Sequence, residues 1–336
     1  MKKILLPILS LLVATIVCRA DGPYHFLKEI PVSGDTGWDY LSVDPAAQRL
    51  YVSHGTKIVV INLAKDMIAG EITNLAGVHG LAPVPELGRG MATCGRENKA
   101  AIVDLKTLQV LSKVDTGTGP DSMLYEPGQQ EFYTFNGRSQ SATVIDAKSS
   151  RVVATISLEG RPEFAVDDAR LGRVFDNLED KNEVAVIDAR THTITNRWPI
   201  APGEGGSGMA IDLAHHRLFI GCGGSHTMLM MDATSGKVLA NVPIGDGVDA
   251  NAFDPGTQLA FASCGDGTTT IAHEDGDKLT VVQTLQTEKS ARTMALDPTT
   301  HNIYLAAAKF EAPAEGQRRG KMVPGTFKIL VYGMEK

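Results

Sequence analysis

The sequence has little of several features that would define a protein class at once. It has four cysteines in 336 residues, 6% aromatic residues and a net charge of −7. Without the N-terminal segment discussed below three cysteines remain, and an odd number excludes a simple disulfide scaffold. A net negative charge does not favour non-specific nucleic-acid binding, which is driven by release of counterions when cationic residues contact phosphates. Few aromatic residues are present for stacking on bases.

Common catalytic signatures are also missing. The chain has no G-x-S-x-G nucleophile elbow and no G-x-x-x-x-G-K-[ST] phosphate loop. The glycine-rich stretch at 203–208 precedes a β-type run, so no helix follows it to bind phosphate. Nothing in the sequence pairs Ser207, within that stretch, with a general base.

A long hydrophobic run occurs only at the N-terminus. Lys2 and Lys3 precede an apolar run over 4–17 and a small-x-small pattern at 18–20. This layout predicts a cleaved secretory signal peptide over residues 1–20, an uncleaved anchor helix being the alternative. The mature chain is then expected to be periplasmic or extracellular, with no membrane span.

The sequence does contain a repeat of about forty residues. One marker is a β-type run ending in a polar residue, and it recurs at Asn62, Asp104, Asp146, Asp188, Asp232 and His273, with a seventh copy in ILVYG at 329–333. A second marker, Asp-Pro or a relative, recurs in phase at 44, 84, 126, 167, 212, 254 and 297. Each of the first six copies holds four β-type runs separated by turn residues. The pattern predicts an all-β fold, a single seven-bladed β-propeller of four-stranded blades over residues 21–336.

The ends of the chain predict how the ring closes. The seventh copy stops after its third run, and residues 25–34 resemble the fourth runs of other copies. We therefore expect the N-terminal strand to join the last blade, which removes an open sheet edge.

The strings RLYVSHG, IVVINL and VAVIDA resemble the repeats of the YVTN-type propeller family, which includes exported bacterial YncE-like proteins. The resemblance covers essentially the whole mature chain. It implies a β-propeller fold and export. Roles implied for such propellers include binding of nucleic-acid strands, and related propellers act as lactonases or lyases. The repeat motifs are structural, so the resemblance does not choose among these activities.

Ionisable residues are predicted to ring one mouth of the channel, where the first strand of each blade begins. Alignment on the second marker places seven residues at one position, with Glu163 next to the fourth: Asp39, His79, Asp121, Pro162, Ser207, Asp249 and Arg292. Such a ring is suited to a small polar ligand, with His79 as a general base and Arg292 facing an anionic group. The carboxylates Asp39, Asp121, Glu163 and Asp249 are also candidate ligands for a divalent cation. The alternative is a solvated channel lining.

Turns between the second and third runs hold a further set of candidates. The aligned residues are His54, Cys94, Asn136, Asn177, Cys222 and Cys264. Cysteine and histidine facing one cavity suit copper or zinc, but no metal-binding spacing is present. Small buried thiols at strand ends are the alternative interpretation, and the one that we favour.

The seventh copy carries an insertion over residues 310–326, rich in Pro and Gly. It contains a basic cluster of Arg318, Arg319 and Lys321 and should project near the mouth. Long irregular loops in compact repeats often act as lids or partner-binding arms, the alternative being an insertion without a role.

The main functional hypothesis is an exported ligand- or partner-binding scaffold propeller that uses its polar channel mouth, with no cofactor evident. The expected partner is a small molecule or a protein. One alternative is a metal-dependent hydrolase, lactonase or lyase that uses the mouth carboxylates. A second is single-stranded nucleic-acid binding through the basic cluster, with Trp38 and Tyr40 as the nearby aromatics.

Overall fold

The computed structural model describes residues 22–313, 316 and 320–334. The predicted signal peptide over 1–20 lies outside these residues. The chain forms seven four-stranded antiparallel sheets, each with its strands in sequence order except at the ring closure. The first strands of neighbouring sheets contact one another around the whole ring, and β2 (Leu41–Asp44) of the first blade contacts β26 (Met294–Asp297) of the seventh. The predicted seven-bladed propeller is confirmed.

Strand bounds repeat closely from blade to blade. The first, innermost strands are β2 (Leu41–Asp44), β6 (Val78–Val84), β10 (Pro120–Glu126), β14 (Pro162–Asp168), β18 (Gly206–Asp212), β22 (Val248–Asp254) and β26 (Met294–Asp297). The second strands are β3 (Arg49–His54), β7 (Arg89–Cys94), β11 (Glu131–Asn136), β15 (Arg173–Leu178), β19 (Arg217–Cys222), β23 (Leu259–Cys264) and β27 (Asn302–Ala307). The third strands are β4 (Lys57–Asn62), β8 (Lys99–Asp104), β12 (Ser141–Asp146), β16 (Glu183–Asp188), β20 (Thr227–Asp232), β24 (Thr268–Asp275) and β28 (Lys328–Met334). The outer strands are β5 (Met67–Ile72), β9 (Gln109–Asp115), β13 (Val152–Ser157), β17 (Thr193–Pro199), β21 (Val238–Pro243), β25 (Lys278–Gln286) and β1 (Tyr24–Pro31).

The strand at the N-terminus closes the ring, as the sequence predicts. Strand β1 pairs antiparallel with β28 from Tyr24↔Met334 to Pro31↔Lys328. Tyr24 also exchanges two backbone hydrogen bonds with the side chain of Gln283 on β25, which ties the closing strand to blade six. The outer strand of blade seven therefore comes from the opposite end of the chain.

The hydrophobic core lies between the blades. Second and third strands are almost wholly buried, because both faces of each sheet pack against a neighbouring blade. This explains why they are continuous apolar runs, whereas outer strands such as β9 are mostly exposed. The buried residues of the described ranges form seven clusters, most of which draw on two adjacent blades.

Acidic residues at the ends of the first strands stabilise the following turns. The Asp254 carboxylate accepts a hydrogen bond from the Gly256 amide at 3.0 Å, and Asp44 accepts one from the Ala47 amide at 2.9 Å. In blade four this role belongs to Asp168, so the marker residue assigned there from the sequence, Asp167, is wrong by one position. A single 3₁₀ turn at Pro85–Leu87 replaces the Asp-Pro turn in blade two.

No helix in the described part of the chain is long and apolar enough to cross a membrane.

Candidate functional site: the channel mouth

The predicted ring forms at one end of the channel, with one correction. Strand pairing places Pro162 opposite Leu178, just as Val78 lies opposite Cys94 one residue before His79. Glu163, rather than Pro162, is therefore the fourth member. The sequence alignment placed the ring one residue early in blade four because the marker on which it was aligned, Asp167, is itself one residue early. The ring consists of Asp39, His79, Asp121, Glu163, Ser207, Asp249 and Arg292.

Irregular strand pairing helps to direct these side chains toward the mouth. In five blades the register between the first and second strands shifts immediately after the first pair. The ring residues at these shifts are His79, Asp121, Glu163, Ser207 and Asp249. A bulge twists the strand and changes the direction of its side chains, and bulges are common beside binding sites. The repeat therefore builds the same presentation in most blades, whichever side chain occupies the position.

Three ring residues converge on one point. The Nδ1 atom of His79 lies 2.7 Å from Asp39 Oδ2 and 3.1 Å from Asp121 Oδ1. Burial alone lowers the pKa of His79, but hydrogen bonds to Asp121 and Asp39 prevail and raise it to about 10. Burial raises the pKa of Asp39, and the contact with His79 opposes that shift. A raised pKa favours the imidazolium form at neutral pH, held between two carboxyl groups, whereas the general-base role predicted from the sequence requires the neutral imidazole.

The opposite side of the ring is internally neutralised. Arg292 donates to Asp249 with a separation of 2.5 Å between Nη1 and Oδ2. Burial raises the pKa of Asp249 to about 6, although Arg292 lowers it. Ser207 is buried, and within the described residues no base lies beside its hydroxyl in the hydrogen-bond network. The guanidinium of Arg292 is thus occupied by a partner in its own ring.

Burial raises the pKa of two acids in blade four. Burial, followed by repulsion from Asp121 and other carboxylates, raises the pKa of Glu163 to about 8. Asp176 on β15 is fully buried, and neither of its carboxyl oxygens has a hydrogen-bond partner in the described structure. Burial, and then the charge of Glu163, raises its pKa well above the ordinary value. Sequence reasoning missed Asp176, although a carboxyl among the apolar residues of β15 is a visible signal.

The Tyr40 side chain crosses the channel below the ring. Its hydroxyl donates to the backbone carbonyl of Glu163 at 3.1 Å, and its ring packs on Phe164 at 5.3 Å between centroids. Blade one thereby contacts blade four across the channel. Tyr40 and Phe164 therefore occupy part of the channel next to the ring.

The mouth contains a cavity of about 840 Å³ on the side of blades one to four. Its lining includes Asp39, His79, Asp121 and Glu163, but neither Asp249 nor Arg292. This volume lies within the range of small-molecule sites.

Three arginines that the sequence analysis did not select also line this cavity: Arg96, Arg138 and Arg161. Arg161 forms an ion pair with Glu179, whereas Arg96 and Arg138 have no ion-pair partner among the described residues. The signal was present in the sequence, since arginine follows glycine at the same turn in two successive blades (CGR and NGR).

Two glycines allow these arginines to approach the mouth. A Cβ atom at Gly77 would lie 2.6 Å from Arg96 Cγ, and one at Gly119 would lie 3.0 Å from Arg138 Cγ. Both glycines have φ near +67°, a conformation that other residues adopt at a cost. The aliphatic part of each arginine therefore packs on the backbone of a glycine two residues before a ring residue, His79 or Asp121.

The cysteines are structural. Cys94, Cys222 and Cys264 are free and fully buried, and burial raises the pKa of each thiol to about 12. In blade four the equivalent position is Leu178, so the sequence alignment of Asn177 with these residues is wrong by one position. No cysteine belongs to a potential metal-binding group in the residues described. The interpretation as small buried side chains is confirmed.

The described part of the 310–326 insertion is anchored beside the mouth. Phe310 pairs with Met322, and the amide of Glu311 donates to the carbonyl of Lys321 at 2.8 Å. Trp38, which lines the cavity, packs on Phe327 and Phe310 at centroid distances of 4.9 and 6.0 Å. Lys321 is exposed, whereas Arg318 and Arg319 lie outside the described residues. Because Trp38 and Tyr40 are both engaged in packing, neither is an open platform for a nucleic-acid base.

Comparison with known proteins establishes the fold alone. No known family profile matches the sequence, and no curated protein matches it. Many solved structures share the architecture. A chain of a mitotic checkpoint complex has a TM-score of 0.75 at 13% identity, with 100% of this chain and 99% of that chain covered. The WD40 repeats of RRP9 have a TM-score of 0.76 at 9% identity, with 94% and 99% covered. Both are similar to this chain as β-propellers, and identities this low show nothing about function.

Proposed function

We propose that the protein is a binding propeller whose mouth takes a small molecule, or part of a protein partner, that carries an anionic group. The observation that carries the proposal is the pair of exposed arginines over the cavity, Arg96 and Arg138, which lack an internal counterion in the described structure. Arginine guanidinium groups recognise carboxylate and phosphate through paired, charge-assisted hydrogen bonds. An external anion would supply the missing partners.

The local charge supports an anionic ligand even though the whole chain is acidic. His79 is cationic, and its charge is shared between Asp39 and Asp121. Glu163 is largely protonated at neutral pH, because its pKa is about 8. One imidazolium is thus shared by two carboxyl groups, Asp249 is paired with Arg292, and the two rim arginines are the cations of the cavity without an ion-pair partner in the described structure.

Polar groups next to the cavity are already fixed and would bind the ligand without rearrangement. Asp39 and Asp121 are held by a shared imidazolium, and Tyr40 is fixed at both ends. Acceptors held in this way suit hydroxyl or amine groups on the ligand, because little ordering entropy is lost on binding. The preferred ligand then has an anionic end at the rim and hydrogen-bond donors directed inward.

Binding is tested by titration calorimetry at low salt with inorganic phosphate, succinate and glucose 6-phosphate, and with spermidine as a cationic probe. We expect at least one anion to bind, and Arg96→Gln with Arg138→Gln to weaken that binding at least tenfold. The matched control is Arg151→Gln with Arg190→Gln, two exposed arginines at the other end of the propeller. Binding of spermidine alone, or an unchanged anion affinity in the rim variant, would contradict the proposal.

A second candidate function is a metal-dependent hydrolase, lactonase or lyase. It is favoured by the convergence of Asp39, His79 and Asp121, each of which offers a ligand atom within 4.8 Å of the others. Glu163 and Asp249 do not belong to this group, so the four-carboxylate site considered from the sequence is reduced to two carboxylates and a histidine. A divalent cation would have to displace the His79 proton. Metal content that is stoichiometric in purified protein and lost in Asp39→Ala would support this candidate.

Export and membership of the YVTN-type family are part of the same proposal. They are supported by the N-terminal basic and apolar segment and by the repeat strings quoted above. Fractionation of expressing cells, with the intact mass of the recovered protein, tests export. Cleavage after residue 20 and recovery outside the cytoplasm are expected, whereas a full-length cytoplasmic product would contradict it.

A further inference from the structure

A second group of ligating side chains lies at the end of the propeller opposite the mouth, between blades five and six. It consists of Asp212 at the end of β18, His215 in the following turn and Glu274 on β24. One ligating atom from each residue lies within 4.8 Å of the others. None of the three lines the mouth cavity.

The repeat itself shows that Glu274 is exceptional. Its amide donates to the carbonyl of Gln258 at 2.9 Å, and the equivalent backbone bond recurs in each of the first five blades. The residues that donate this bond there are Leu63, Leu105, Ala147, Ala189 and Ala233. Five blades therefore place an aliphatic side chain where blade six has a carboxylic acid, so the fold does not require an acid at this position.

The Glu274 carboxyl is buried and incompletely paired. The residue is 4% exposed, and its Oε2 atom has no hydrogen-bond partner among the described residues. Asp212 beside it is 1% exposed. Two neighbouring buried carboxyl groups are costly unless a proton or a cation lies between them.

The nearby polar groups have partners that do not neutralise both carboxyl groups. Asp212 uses Oδ1 to accept the Ala214 amide at 2.8 Å, and its Oδ2 faces His215 Nδ1 at 2.5 Å. The nearby Arg217 donates to Asp232 and Asp277 and is directed to them. The His215 side chain is 58% exposed, so an ion can reach the group from solvent.

We propose that Asp212, His215 and Glu274 bind a divalent transition-metal ion, with zinc as the best match, which links blade five to blade six. Two carboxylates and one imidazole are a ligand set that zinc accepts, with a fourth position open to water. Ligand atoms around tetrahedral zinc lie about 3.3 Å apart, given bonds of about 2.0–2.2 Å. His215 would therefore lose its Nδ1 proton and move slightly away from Asp212, which its exposed position in a turn permits.

The experiment is a zinc titration of metal-free, full-chain protein at pH 7.5, followed by calorimetry and by thermal unfolding. Zinc is expected to raise the wild-type melting temperature by several degrees. Glu274→Ala, which copies the residue of blades three to five, should fold well, melt higher than wild type without metal and lose the zinc response. His215→Ala should weaken zinc binding more than tenfold. His226→Ala, which removes an exposed histidine elsewhere, should leave the zinc response unchanged. Asp39→Asn, which disrupts the potential metal group at the mouth, distinguishes a response at that group from one at Glu274.

Three results would overturn the proposal. They are the absence of zinc binding to the wild type, a zinc response that survives in Glu274→Ala, and a response lost in Asp39→Asn instead. The last result would assign the ion to the mouth, whereas the first would leave a proton shared by the two buried acids as the occupant.

Discussion

The two halves of the channel mouth are built on the same repeat but differ in how their charges are satisfied. On the side of blades one to four, His79 bridges two carboxyl groups, and Arg96 and Arg138 extend over a cavity. On the side of blades five to seven, Arg292 is paired with Asp249. The positions equivalent to the two rim arginines are Gly224 and Asp266 there. One half therefore has arginines without an ion-pair partner among the described residues, whereas the arginine of the other half is paired within the ring.

This difference teaches where function resides in a repeat fold. Backbone geometry places a ring residue and a rim residue in each blade, and substitution at those places decides the chemistry. A side chain that differs in type from its equivalents in the other blades is thus a better guide to a functional site than one that repeats. The same reasoning identifies Glu274 at the opposite end.

The largest expected effect comes from breaking the paired half of the mouth. Arg292→Met leaves the mostly buried Asp249 carboxylate without its partner, and we expect a loss of about 2 kcal/mol in the free energy of unfolding. Urea unfolding of the purified variant measures this loss. The double variant Arg292→Met with Asp249→Leu should recover most of it, and a double variant as unstable as the single would show that the ion pair is not the cause.

Removal of the His79 imidazolium should weaken anion binding at the cavity on the side of blades one to four. In His79→Gln the carboxyl groups of Asp39 and Asp121 face the cavity without their shared cation. We expect about a tenfold weaker anion affinity at neutral pH, or about 1.4 kcal/mol. Calorimetry with the anion identified above measures the change, and His226→Gln is the matched histidine control. An affinity that is unchanged or improved would contradict a role for the His79 charge.

The effect expected from the acid of blade four depends on pH. The folded-state pKa of Glu163 is about 8, above the usual 4.5, so only the unfolded chain ionises readily between these values. Stability is therefore lost as pH rises from about 4.5 to 8, and the penalty is constant above that range. Glu163→Gln should remove this penalty, with a gain in melting temperature that is near zero at pH 4.5 and greatest above pH 8. Thermal unfolding across this range tests it, and a gain independent of pH would contradict the assignment.

The smallest expected effect concerns the contact of Tyr40 with blade four across the channel. Tyr40→Phe removes the hydrogen bond to the Glu163 carbonyl but keeps the ring on Phe164. We expect a loss of about 0.5–1 kcal/mol in the free energy of unfolding and little change in anion affinity. Urea unfolding and calorimetry test the two parts. A large loss of affinity would mean that the hydroxyl contacts the ligand directly.

The fold was predictable from the sequence because each blade repeats the same turn chemistry. Asp44 and Asp254 cap equivalent turns, and two markers in phase define the number of blades without any three-dimensional information. The closing strand was predictable because the last copy lacks a fourth run. The one-residue errors at Asp167 and Pro162 both fall in blade four, where repeated acidic residues made the alignment ambiguous.

The site was predictable only in part, because its chemistry depends on distances between blades. The ring positions follow from the repeat, but the contact of His79 with both Asp39 and Asp121 depends on how adjacent blades pack. The charge state of His79 follows from that contact. The direction of the Arg96 side chain depends on the backbone at Gly77, in a different turn. Contacts between residues of different blades or turns cannot be inferred from the spacing of residues within one repeat.

Closure of the ring by β1 has a consequence for how the protein is made. Glu29 and Lys328, joined in this last sheet, are 299 positions apart in the chain. During synthesis the first blades can assemble while the partner of β1 has not yet been translated. We therefore expect the pairing of β1 with β28 to form late in folding, because it joins the earliest and the latest parts of the nascent chain. Until this pairing forms, the edges of β1 and β28 are open to pairing with other chains, and this interval is where we expect the greatest exposure to aggregation.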